Sequence, residues 1–212
     1  MSEKLSVNPW LGMWVRPRET IRAILSYNKN YLLFLLYWIY GFPLSLQFAQ
    51  NFSLGDRFSL GAIIGAAAIG GIFLGFIGIT IGSWLFYKTG RWIGGTGSFQ
   101  DVRAAVAWSS VPNIVGIAIW AVQVAMFGKN IFSVLFFSMP LVGMELSVTY
   151  ICSIVSIALM IWGLVILLKA IGEAHRFSAW KALLNVFLPF IVIFIGLKLL
   201  VWLYLLLTSA VH

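Results

Sequence analysis

The stretch TGRWIGGTGS, Thr89 to Ser98, is the first place where residue type and spacing suggest chemistry. A phosphate loop requires G-x-x-x-x-G-K-[ST]; the best alignment, Gly90 to Gly95, meets Thr96 where the lysine must stand. The dinucleotide fingerprint G-x-G-x-x-G begins at Gly95 and Gly97 and fails at Gln100, and no strand-forming run precedes it. Metal hydrolysis and paired-carboxylate catalysis lack residues as well: His175 and His212 fall in a loop and at the end of the chain, and the long apolar runs contain no Asp or Glu. The spacing therefore predicts no catalytic residue, no metal ligand and no cofactor.

Lys198 is the one charge well inside an apolar run. Charged side chains within membrane segments are costly and mark functional sites by default. Together with Gln123 and Asn113 it defines a candidate polar cavity opening to the outer leaflet, where the ammonium would attract an anionic head group or solute. The alternative role for Lys198 is to snorkel outward or to bond carbonyls freed by a proline.

The elements that must hold these residues are membrane helices. Of 212 residues, 61% are hydrophobic and 9% charged, far below the roughly 25% charge of a soluble domain. The single cysteine, Cys152, allows no intramolecular disulfide. A spanning helix needs about 20 mainly apolar residues, and five charge-poor intervals of that kind occur: Tyr31–Gln50, Gly61–Tyr87, Ala104–Phe127, Ser147–Leu168 and Leu183–Leu207. Fourteen further apolar residues, Ile131–Met144, suit an interfacial or re-entrant piece.

Cations alternate in density between these intervals. Lys4, Arg16, Arg18, Arg22 and Lys29 precede the first; Lys88, Arg91 and Arg103 follow the second; Lys169, Arg176 and Lys181 follow the fourth. The opposite side holds Arg57 and Lys129, so eleven cations face two. Positive charge retained on the cytoplasmic side gives an all-α membrane protein of the cytoplasmic (inner) membrane with five transmembrane helices, N-terminus cytoplasmic and C-terminus outside. The net charge of +8 thus reflects orientation and anionic head groups at the inner surface, and no nucleic acid is expected as a partner.

Residues 1–30 form a cytoplasmic amphipathic segment ahead of a transmembrane domain over residues 31–208. Pro17 suits the first turn of a helix, Glu19 its positive end, and Ile21, Ile24, Leu25 and Asn28 recur at helical spacing. The short basic helix is predicted to lie on the inner membrane surface, with Trp10 and Trp14 as anchors and Arg16, Arg18 and Arg22 facing lipid or a protein partner. In the second apolar interval, Gly61, Gly65, Ala68, Gly71, Gly75, Gly78 and Gly82 average 3.5 residues apart and predict one continuous packing seam, within the chain or between copies in a homo-oligomer. Pro43, Pro112 and Pro189 are predicted to kink three spans and free the carbonyls of Ile39, Trp108 and Asn185.

Two stretches resemble the YIP family, named for Ypt/Rab-interacting proteins, in its bacterial-type branch. NPWLGMWVRPRETIRAIL, from Asn8, is similar to the family's opening segment, in which a proline and a basic amphipathic turn precede the first span; GGTGSFQDVRAAVAWSSVP, Gly94–Pro112, is similar to its connection between the second and third spans. The resemblance covers Asn8 to about Leu207. The bacterial branch carries over no activity; with no catalytic groups in the spans, the expected function is that of a non-enzymatic membrane protein of the YIP type with a membrane-organising or partner-docking role, and the alternative is a transporter or lipid-handling protein built on the polar cavity. Eukaryotic members are implied in traffic through prenylated small GTPases, but they carry a long cytosolic N-terminal region and an acidic-leucine-tyrosine-glycine-proline motif. This chain has neither, so GTPase binding does not carry over.

Overall fold

Prolines open the first two helices, where their missing N–H costs nothing and their φ is already helical. The computed structural model describes residues 5, 7–138 and 140–209, so Lys4 and His212 lie outside the described residues. Helix α1, Pro9–Val15, is capped by the Asn8 side chain, which accepts from the Trp10 N–H at 3.0 Å. Helix α2, Pro17–Tyr27, has Glu19 in its first turn. There follow α3, Leu33–Asn51; α4, Leu60–Trp92; α5, Phe99–Trp108; α6, Asn113–Phe127; α7, Gly143–His175; and α8, Ala179–Ser209. Short 3₁₀ turns cover Leu54–Asp56, Gly128–Phe132 and Val134–Phe137, and no strand occurs among the described residues.

Among the described residues four stretches, not the expected five, are long and apolar enough to cross a membrane: Leu60–Trp92, Phe99–Phe132, Gly143–His175 and Trp180–Leu206. The correction falls on the first interval. It forms α3, which reaches 19 residues, but Tyr37, Tyr40, Pro43, Ser45, Gln47, Gln50 and Asn51 dilute its apolar residues. The third interval is also changed. Pro112 does not kink a continuous helix; Ser109–Pro112 form a turn between α5 and α6, and the Trp108 carbonyl accepts the Val111 N–H at 3.3 Å.

Helices α3 and α4 pack backbone to backbone. Ile63, Ala67, Gly71, Gly75, Ile79 and Ser83, four residues apart, form the buried row of α4. A Cβ added at Gly41 would overlap the Gly71 carbonyl, and one at Gly75 the Tyr37 carbonyl. Close approach of this kind lets dispersion hold helices together where lipid offers no hydrophobic drive. The predicted seam therefore divides. Gly71, Gly75 and Gly78 face α3, whereas Gly61, Gly65 and Gly82 have nothing within 4 Å of an added Cβ.

The amphipathic N-terminal segment is docked on the bundle, contrary to its expected place on lipid. Ile21 and Ile24 of α2, with Met13 of α1, are fully buried in one cluster with Val102, Trp108 and Ile171. Trp10 is turned inward as well, its ring 5.1 Å from that of Trp108, while Leu11 and Val15 stand exposed. A second cluster closes the other end: Ile131 and Phe132, from the segment after α6, are buried with Leu46, Ala49, Ile63 and Ala67. That segment folds across the ends of α3 and α4.

Candidate functional site

The charged end is built by contacts between residues far apart in sequence. Asp101 sits three positions into α5 and makes a capping box with Ser98, the reciprocal pairing that satisfies free N–H groups at a helix start. The same carboxylate takes Lys29 Nζ at 2.7 Å. Arg22 grips Glu173 with two parallel bonds, at 2.7 and 3.1 Å, the geometry in which a guanidinium recognises a carboxylate best. The hydrogen bonds and charge of Glu173 hold the Arg22 guanidinium above its ordinary pKa. Arg18 donates to the Phe177 carbonyl at 3.1 Å, and Arg103 to the Asn30 side chain at 2.6 Å. Together these bonds tie α2 and the turn after it to α5 and to the end of α7.

The glycine-rich loop completes that end. His175, the last residue of α7, is buried and sits within 3.2 Å of the Phe86 carbonyl through Nε2. A carbonyl only accepts, so Nε2 is the donor of this bond; Nδ1 is buried with no hydrogen-bond partner among the described residues. A side chain at Gly90 or Gly95 would run into the imidazole, and one at Gly97 into the Ala174 carbonyl. The Thr96 N–H donates to the His175 carbonyl at 3.3 Å. These glycines clasp the end of α7, and the close approach of loop to ring is what requires them.

One turn deeper, the Thr89 hydroxyl lies 2.8 Å from the Leu85 carbonyl and 2.7 Å from the Asn185 side-chain oxygen. A hydroxyl has one hydrogen to give, and the Asn185 amide nitrogen is otherwise without a partner among the described residues. Turning the amide over resolves both: Asn185 donates to Thr89, and Thr89 donates to Leu85. Asn185 belongs to the turn before Pro189, and its carbonyl, freed by that proline, has the Thr89 hydroxyl at 3.5 Å.

A cavity of about 620 Å³ opens between α4, α6, α7 and α8, beside the α5–α6 turn. Its walls include Gly82, Gly116 and Gly163, with Leu159 and Phe190. Tyr40, Asn113 and Ser156 bring polar atoms to it, as do Ser109 and Ser110. The last two hydroxyls already donate, to the carbonyls of Val106 and Ala107, each at 2.6 Å. No Lys, Arg, His, Asp or Glu lines it, and no group of His, Cys, Asp and Glu that could hold a metal ion occurs among the described residues.

Of the three residues predicted to share a cavity, only Asn113 lines this one. Gln123 lies ten residues further along α6, about 15 Å away. Lys198 is exposed on α8 with its Nζ 5.6 Å from the Phe194 ring centroid. The basic trio also separates: Arg18 and Arg22 bind the bundle, while Arg16 makes an exposed pair with Glu19 at 3.7 Å. Sequence reasoning missed Tyr40, Ser156, Gly163, Glu173 and Phe177. A legible signal existed for the cavity in the paired serines before Pro112, since a proline two residues on interrupts a helix there; none existed for Gly163 or Phe177.

The family model described as "Yip1 domain" matches residues 11–200, which takes in α2 to α7 entirely and most of α1 and α8. No curated protein and no solved structure matches the chain.

Proposed function

Because the chain belongs to the Yip1 domain family, we propose that it is a non-enzymatic, multi-pass membrane protein that organises the membrane or docks partners through its charged end. The observation carrying this reading is the clamp formed by Arg22–Glu173, Lys29–Asp101 and Arg18–Phe177, which fixes that end as a preformed surface. Arg91, Arg176 and Lys181 remain exposed on it. Charge density supports its orientation: these cations and those of α2 gather at one end, against Arg57 and Lys129 at the other, which favours the cytoplasm for the charged end of an inner-membrane protein. Helix α8 leaves that end from Ala179, so its last turns head for the outer side.

The clamp changes which residues test the idea. Reversing Arg18 or Arg22 would disturb the bundle itself, so the informative variant is Arg91→Glu, Arg176→Glu and Lys181→Glu together. It is expected to strip co-purifying proteins from the chain extracted from native membranes. The same reversal of Arg57 and Lys129 should strip none; equal retention by both variants would remove the docking surface.

A lipid-handling role is the second reading, favoured by the cavity beside Asn113. It is measured as lipid transfer in proteoliposomes. Transfer lost in Asn113→Leu and kept in Lys198→Ala supports it; no transfer by the wild type excludes it.

A further inference from the structure

Three polar side chains of the cavity have unused hydrogen-bonding capacity. The Tyr40 hydroxyl, the Asn113 amide and the Ser156 hydroxyl line it, and none has a side-chain hydrogen bond among the described residues. In water such groups would be solvated. Tyr40 and Asn113 are half-buried and Ser156 is exposed, and in an apolar surround a polar side chain without a partner is unfavourable, so these three favour a hydrogen-bonding occupant. The remaining lining includes Leu159, Met160, Leu164, Leu167 and Phe190, which offers that occupant an apolar wall.

The absence of charge in the lining selects among occupants. A phosphate or ammonium head placed here would lose its hydration with no opposite charge to compensate. A hydroxyl or ester carbonyl would find donors and acceptors at Asn113, a donor at Tyr40, and spare lone pairs on Ser109 and Ser110. The volume, about 620 Å³, lies within the roughly 300–1,000 Å³ of small-molecule sites. Space is available where it is needed: a Cβ added at Gly82, Gly116 or Gly163 meets nothing within 4 Å. Met160 and Phe190 are strongly exposed, so the cavity is continuous with the lipid-facing surface of α7 and α8.

We propose that this cavity binds an uncharged amphiphile, its hydroxyl- or carbonyl-bearing head at Tyr40, Asn113 and Ser156 and its chain leaving between α7 and α8 into the bilayer. The proposal shares its cavity with the lipid-handling reading but asks only for binding. Binding without transfer keeps it and removes that reading.

The test uses the full chain in phosphatidylcholine nanodiscs with a diazirine-bearing diacylglycerol as probe, followed by peptide mapping. Labelling is expected to concentrate on the peptides carrying Leu159–Leu164 and Phe190. Unlabelled diacylglycerol should compete at least tenfold better than phosphatidylglycerol. Gly82→Leu and Gly163→Leu fill the cavity from positions with room for a side chain, and each should cut labelling at least tenfold with an unchanged unfolding midpoint. Asn113→Leu should narrow the preference for diacylglycerol over phosphatidylglycerol. Labelling spread evenly over α6, α7 and α8, equal competition by the two lipids, or no labelling at all, as for a cavity filled with water, would each overturn the proposal. The wild-type competition decides the matter even if a leucine variant fails to fold.

Discussion

The two halves of the bundle are held by different physics. At the charged end, α1, α2, α5 and the adjoining ends of α4, α7 and α8 are joined by ion pairs, the His175 clasp and a fully buried cluster. Toward the other half, α6 has no buried residue, and the apolar windows of α7 and α8 are 11% and 12% buried against 28% for α4. Directional bonds specify geometry where polar groups are available to make them. In the apolar half directional bonds are few, such as those of Asp56 with Ser133 and Val134, so dispersion and close approach dominate, and surrounding lipid competes with them on nearly equal terms. The α3–α4 contact is the exception because glycine lets two backbones touch.

That contrast can be broken most severely at Gly75. Gly75→Leu would drive a side chain into the Tyr37 carbonyl, and is expected to lower the unfolding midpoint in detergent by the equivalent of about 3 kcal/mol or more. Gly65→Leu, on the same helix with open space around it, should leave the midpoint unchanged. A midpoint equally sensitive at both would mean that α4 packs through a different face. Next in size is Gly95→Ala at the clasp, where the new methyl meets the His175 ring; a loss of about 1–3 kcal/mol is expected, with faster hydrogen exchange over residues 90–97.

A smaller effect belongs to the ion pairs. Glu173→Gln leaves the exposed Arg22 without its carboxylate, and the Coulombic part of the resulting loss of stability should fade as salt is added. A loss that persists at high salt would assign Glu173 a packing role instead. Smaller still is the pH response of the far end, where Asp56 accepts from the Ser133 hydroxyl and the Val134 N–H. These bonds hold its carboxyl below the usual value of 3.8. A depressed folded pKa means the contribution is complete above that value and is lost as pH falls through the folded one. Protection over residues 128–138, measured against the intrinsic exchange rate at each pH, should therefore fall on acidification below pH 3.8 in the wild type, and change less with pH in Asp56→Asn.

Much of the secondary structure was legible because it is local. Proline at the first turn, Ser98 with Asp101, and uninterrupted apolar runs each report on their own neighbourhood. Partner faces were not legible. Helices such as α7 and α8 are apolar all round, so their sequences mark no side as inward, and the even 3.5-residue spacing of small residues in α4 concealed that its buried row steps by four. The amphipathic pattern of α2 was readable, yet a face made of Ile21 and Ile24 suits lipid and protein equally. Only Glu173 and Phe177, some 150 residues later, decide for protein. The cavity was half legible for the same reason: Asn113 stood out as a polar residue in an apolar run, but Tyr40 and Ser156 reach it from helices distant in sequence.

The clamp between α2 and α7 also sets a schedule for biosynthesis. Arg22 leaves the ribosome 151 residues before its partner Glu173, an interval of about 8–30 s at 5–20 residues per second. During that interval Ile21 and Ile24 have no α7 to cover them, so the nascent α2 needs a temporary shelter, and the membrane surface beside the translocon is the nearest apolar phase. Chains arrested before residue 173 should keep α2 accessible to protease or to lipid probes, and completed chains should not. The N-terminus is thus the first part made and among the last to be locked in place.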